Sequence, residues 1–267
     1  MKLFDGKKHA QILDEEIRKH ISNNPVSKSL AIILVGNDPA SEKYVSIKEK
    51  LCKRLGISIQ VHKIDEDLSD EDIFNKVRDV LNSNDVGGGI IQLPLPRKSL
   101  NKALELIPLD KDVDLISPKA QEMYYSGDLA RLSPVVRALE YFLKKNKIDL
   151  ERLSTCVIGD GYLVGRPVAH YLKQKNSKVR VLSDYETGRK LDYQLLVLSA
   201  GIRDLVKGQN VVKDCHILDY GSNVVNRKVR GDLDLNSELD HLGVISPSPG
   251  GLGPLVTRFL FLNFLQT

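Results

Sequence analysis

The chain has 267 residues, with 39 basic and 35 acidic side chains for a formal net charge of +4, and is 42% hydrophobic, enough for one large core or two ordinary ones. Charges of both signs are interspersed, which excludes a nucleic-acid or membrane-surface block and leaves a small anionic ligand as the natural partner. No window approaches the ~20 apolar residues of a membrane span, and MKLFDGKKHAQILDEEI is charged where a signal peptide needs an apolar run, so a cytoplasmic protein is expected.

Apolar β-branched runs alternate with helical patterns, which predicts an α/β fold with mostly parallel sheets. In chain order, strands are expected at 29–36, 57–64, 88–95, 154–159, 178–183, 193–200 and 215–221, with helices at 40–55, 70–83, 133–146 and 165–175. Strand character is lost over 117–132. Two domains are therefore expected, one of residues 1–118 plus 254–267 and one of 119–253, with the apolar helix PLVTRFLFLNFLQT packing back on the first. Cys52, Cys156 and Cys215 have no metal-ligand spacing and read as reduced core thiols, a catalytic cysteine being the alternative.

In VGNDPASEKYVSIKEKLCKRLGI, Asp38 and Pro39 supply a helix start and Gly56 a stop. Ser41, Tyr44 and Lys48 then stand at i, i+3 and i+7 on one face. Lys48 reads two ways, as a desolvated lysine suited to proton transfer or as one more solvated lysine beside Lys43, Lys50 and Lys53. In IIQLPLP, Gln92 ends an apolar strand that Pro94 and Pro96 stop, a place for a ligand contact or for a loop-capping amide. LDKDVD sets Asp110, Asp112 and Asp114 at alternate positions; the glycine and distal glutamate of a calcium loop are missing, so no metal is expected. An inward aspartate there suits paired hydrogen bonds to an amidine-like heterocycle. VIGDGYLVGRP, 157–167, has the glycines of a strand-to-helix dinucleotide turn, a pattern that close strand–helix packing alone also produces.

Taken together, DPASEKYVSIK, GGIIQLPLP, PLDKDVD, VIGDGYLVGRP, GDLD (231–234) and SPSPGGLGP (246–254) resemble the bifunctional methylenetetrahydrofolate dehydrogenase/methenyltetrahydrofolate cyclohydrolase family, in order and over nearly the whole chain. The resemblance implies two α/β domains flanking a cleft, the second a Rossmann-like dinucleotide-binding domain, and a homodimer formed through it. It implies a tetrahydrofolate substrate and NAD or NADP as cofactor. Carried over position by position, Lys48 would be the general acid/base, Gln92 would orient it, Tyr44 would stack along the aminobenzoyl group and Asp114 would bind the pterin. Ser41, Pro249, Gly250 and Gly251 would complete the substrate contacts. The cofactor contacts would be Gly159, Asp160, Gly161, Gly165, Asp184, Ser133 and Ser222.

The cofactor side departs from the family's commoner pattern. Asp160 stands where an arginine pairs with the 2′-phosphate of NADP, and Asp184 where a serine makes a further contact. Two carboxylates facing a dianionic phosphate cost on the order of kcal/mol, whereas an acid 23 residues beyond Gly161 suits the ribose 2′-hydroxyl of NAD. NAD is therefore favoured. Ser133 and Val136 replace a threonine and a glycine, Gly221-Ser222 replaces G-I, and Val256 stands where a threonine is usual. A cyclohydrolase with weak or lost dehydrogenase activity, or a non-catalytic folate-binding protein, remains as an alternative. A shikimate-dehydrogenase-like oxidoreductase would fit the α/β pattern but not QLPLP or PGGLGP.

Overall fold

A computed structural model of the chain describes residues 1–175, 178–225 and 228–266. The elements run β1 (Lys2–Leu3), α1 (Gly6–Asn23), β2 (Ser29–Val35), α2 (Pro39–Leu55), β3 (Ile59–Ile64), α3 (Asp70–Asn82), β4 (Val86–Ile91), α4 (Pro118–Tyr125) and α5 (Pro134–Asn146). They continue β5 (Thr155–Ile158), α6 (Gly165–Lys175), β6 (Val179–Leu182), β7 (Leu195–Leu198), β8 (Val206–Lys207), β9 (His216–Asp219), β10 (Asn223–Val225), β11 (Lys228–Arg230), β12 (Leu233–Asp234), β13 (Val244–Ser246) and α7 (Gly253–Phe264). Two compact units result: Leu13–Ser133 with Leu260–Thr267, and Met1–Ile12 with Pro134–Phe259.

The first unit holds a parallel sheet in the order β3-β2-β4. Every residue of β2, SLAIILV, is buried, as expected of a strand without a solvent face. Ile33, Val35 and Ile91 of the sheet pack with Ile73, Val77 and Leu81 of α3, each such side chain contributing roughly 1.5–3 kcal/mol of burial. α2 begins as its sequence predicts, with Asp38 accepting from the Ser41 amide at 2.7 Å and Pro39 in the first turn. The end of α7 docks here through Asn263, whose Nδ2 donates to the carbonyls of Val113 (2.9 Å) and Leu132 (3.1 Å).

The second unit holds a six-stranded parallel sheet, β1-β13-β9-β7-β5-β6. The chain moves from β5 to β6 on one side and then to β7 on the other, so the strand order reverses between β5 and β7. Outside the carboxyl ends of such strands lies the crevice where open α/β sheets take ligands.

Several elements differ from the sequence expectation. The β4 strand runs Val86–Ile91 rather than 88–95, its far end cut short because Pro94 and Pro96 lack the amides a ladder needs. Residues 117–132 contain α4, capped by Ser117 accepting from the Ala120 amide. The first residues, expected with the first domain, group with the second unit because Lys2 and Leu3 pair with Val244 and Ile245 of β13. The units divide at Ser133/Pro134 and within α1 and α7, against expected bounds of 118/119 and 253/254.

Candidate active site

In the first unit the sheet order also reverses, between β2 and β4, and chemistry-bearing residues gather at the carboxyl ends of these strands. Gln92 directly follows β4, its amide donating to the Ile33 carbonyl at 2.9 Å. Its Nε2 donates to the Leu93 carbonyl (2.7 Å), which turns Oε1 to accept from Lys48 Nζ at 2.7 Å. Gln92 thus bonds both to its own loop and to a lysine. Lys43, Lys50 and Lys53 are exposed, whereas Lys48 is half-buried. Burial holds the Lys48 ammonium below its usual range, opposed first by the charge of Asp114. Along the same helix Ser41 is buried and Tyr44 exposed, so this face runs from core to surface.

The three aspartates of LDKDVD divide the work. Asp110 is exposed, and Asp112 is fully buried. The Asp112 carboxylate accepts from the amides of Ile116 (3.1 Å) and Ser117 (2.8 Å), folding the loop around itself. Arg131 clamps the outside of that loop through the carbonyls of Leu109 (2.7 Å) and Asp112 (3.0 Å). Asp114 lies within Coulombic reach of Lys48. Burial pushes its carboxyl up to about 6, with Lys48 opposing the rise and Asp112 adding to it. Lysine depressed and carboxylate raised is the pairing expected where protons are exchanged near neutrality. Asp112 was not singled out by sequence reasoning; its signal is the alternation that turns it inward beside Asp114.

In the second unit Gly159 leaves β5 with φ 95°, and a Cβ there would stand 2.6 Å from the Ser199 carbonyl, so the turn rests on the segment after β7. Gly165, the first residue of α6, approaches the Gly159 carbonyl equally closely. A glycine turn opening a helix at the strand-order reversal fits the pyrophosphate of a dinucleotide. Ile158 and Leu182 are register partners, and Asp160 and Asp184, both exposed, each stand two residues beyond them in the chain, after the ends of adjacent strands. Gly161 and Ser222 also lie beyond strand ends on this edge. Ser133, by contrast, is the last residue of the first unit before α5, and is buried. Pro249, Gly250 and Gly251 form a turn after β13, with a cis Ser248–Pro249 bond and the Gly251 amide donating to Pro247 at 2.8 Å.

All three cysteines are buried and free, and burial pushes the thiols of Cys52 and Cys156 up to about 12 and that of Cys215 higher still. Such thiols are poor nucleophiles, which agrees with the core reading.

Residues 4–114 match the family model described as tetrahydrofolate dehydrogenase/cyclohydrolase, catalytic domain, and residues 134–267 the NAD(P)-binding domain of the same family. A bifunctional protein FolD of Hydrogenobaculum sp. (strain Y04AAS1) is 30% identical over 273 residues, 100% of this chain and 98% of the relative. The FolD protein of Clostridium novyi (strain NT) is 32% identical over 271 residues, 98% of each chain. Among solved structures, the bifunctional FolD methylenetetrahydrofolate dehydrogenase/cyclohydrolase from Campylobacter jejuni superposes with a TM-score of 0.90 at 29% identity, covering 100% of this chain and 98% of that one.

Proposed function

Since the chain belongs to the tetrahydrofolate dehydrogenase/cyclohydrolase family and is a bifunctional enzyme of one-carbon folate metabolism, we propose that Lys48 is its general acid/base and that NAD is preferred to NADP. The observation that carries the first part is the Lys48 Nζ to Gln92 Oε1 bond of 2.7 Å beside the raised carboxyl of Asp114.

In the hydrolytic step, water adds to the bridging carbon of 5,10-methenyltetrahydrofolate and Lys48, as the neutral amine, takes its proton. The resulting ammonium returns a proton to ring nitrogen as the carbon–nitrogen bond breaks, and the added hydroxyl releases its remaining proton to solvent as its oxygen becomes the formyl carbonyl, leaving 10-formyltetrahydrofolate with one proton released overall. Gln92 keeps Nζ aimed, Asp114 binds the pterin edge, Tyr44 stacks on the aminobenzoyl group and Ser41 is a further substrate contact. Pro249, Gly250 and Gly251 are further substrate contacts.

A bound nicotinamide nucleotide supplies the hydride acceptor for oxidation of 5,10-methylenetetrahydrofolate. Gly159, Gly161 and Gly165 would hold its pyrophosphate, with Ser133 and Ser222 as further contacts. Asp184 would accept from the ribose 2′-hydroxyl, and Asp160, after the adjacent strand, would repel a 2′-phosphate. The enzyme is further proposed to act in the cytoplasm as a homodimer joined through the second unit.

The test is to follow methylenetetrahydrofolate oxidation with NAD and with NADP, and methenyltetrahydrofolate hydrolysis with neither, in wild type and Lys48→Met. Loss of hydrolysis in the variant and faster oxidation with NAD are expected. Preference for NADP would refute the charge argument, and hydrolysis surviving in Lys48→Met would refute the lysine's role.

A further inference from the structure

The motif Gly231-Asp232-Leu233-Asp234 has no part in that chemistry, yet Asp232 is fully buried. Its Oδ2 accepts from the amides of Ala200 (2.7 Å) and Gly201 (3.1 Å), and its Oδ1 from that of Ile202 (2.9 Å). Asp219, 2% exposed at the end of β9, accepts from Gly221 (2.8 Å) and Asp232 (3.1 Å) at Oδ1 and from Leu233 (3.0 Å) at Oδ2. Six backbone N–H groups from three loops therefore converge on two buried carboxylates. The loops close this tightly only with glycine at two points. A Cβ on Gly231 would stand 2.0 Å from Asp219 Oδ2, and one on Gly221 2.2 Å from Asp232 Oδ1.

The segments so gripped carry the dinucleotide edge. Ala200 to Ile202 follow β7, and the Gly159 turn rests on Ser199 and Ala200. Ser199 reinforces that contact, its Oγ donating to the carbonyls of Ile158 and Gly159, each at 3.1 Å. Gly221 precedes Ser222, and Ser248 Oγ donates to the Gly221 carbonyl, tying in the turn at Pro249. We infer that Asp232 and Asp219 are positioning residues: through backbone amides alone they fix the loops of the dinucleotide edge and couple them to the 248–251 turn. The inference rests on the reading of that edge as the dinucleotide site.

Two measurements on Asp232→Asn test it. The variant turns an amide NH2 toward backbone N–H groups, and a buried donor left unpaired weakens the site by about tenfold or more. The KM for NAD should rise by that factor while kcat at saturating NAD changes little; an unchanged KM overturns the proposal. Hydrogen exchange of the nucleotide-free protein should quicken in 199–203, 219–222 and 247–251 together, and quickening confined to 231–233 overturns it. If wild type bound neither NAD nor NADP, the functional reading would fail while the exchange result still decided the positioning role. Should Asp232→Asn not fold, Ser248→Ala keeps both carboxylates. Exchange must then quicken across 219–222 as well as 247–251, and a change limited to 247–251 overturns the coupling.

Discussion

Replacing Gln92 by leucine isolates what the Lys48 to Gln92 bond does. Gln92 is 9% exposed, so a side chain of similar volume fills its place without opening the site to water. The bond stabilises the ammonium over the neutral amine. A hydrogen bond to a charged group contributes about 1.5–3 kcal/mol, and about 1.4 kcal/mol is one pKa unit. The Lys48 pKa, already lowered by burial, should thus fall by a further ~1–2 units in Gln92→Leu. The leucine's own desolvation acts in the same direction. The carbon-13 shift of the lysine ε-methylene reads this directly, with Lys48→Met identifying the peak. The limb of the hydrolysis pH profile governed by Lys48 should move down by the same amount, after subtraction of uncatalysed hydrolysis. A titration that stays in place or moves up would show that the 2.7 Å contact does not govern the lysine.

Asp112→Asn removes a like charge that raises Asp114 and one of the acceptors that fold its loop. The Asp114 titration should fall below about 6, and denaturant unfolding should register a loss of about 1–3 kcal/mol for an unsatisfied buried amide. The raised carboxyl of Asp114 also predicts a stability window: the folded state keeps the proton that the unfolded chain loses near 3.8, so its contribution is full below that pH and is lost as pH rises through about 6. In Asp114→Asn the melting temperature should lose this dependence between those limits. At the other unit, Asp160→Arg with Asp184→Ser restores cation and hydroxyl at paired strand ends, and the ratio of NADP to NAD affinity by titration calorimetry should rise at least about tenfold, the value of 1.4 kcal/mol.

Local chemistry let the sequence determine much of the scaffold. The start of α2 was legible because Asp38 and Pro39 act within one turn of the residues they cap, and the core strands because a buried parallel strand must be apolar throughout. The motif order also named the residues of the candidate site. Helix α1 is not among the elements the sequence predicts, although Ala10, Leu13 and Ile17 carry its buried face, because the charges between them mask its apolar spacing.

What only the tertiary structure decided are features made by residues far apart in the chain. β1 is two residues long and exists through its pairing with β13, so no local pattern could announce it or assign the N-terminus to the second unit. The physical difference between Lys48 and the exposed Lys43, Lys50 and Lys53 exists only with Gln92 and Asp114 placed around it, because desolvation and Coulomb attraction depend on distance in space. Asp219 and Asp232 likewise read as ordinary acids in sequence. Burial among the backbone amides of three separate loops is what makes them a scaffold, and no spacing along the chain encodes that convergence.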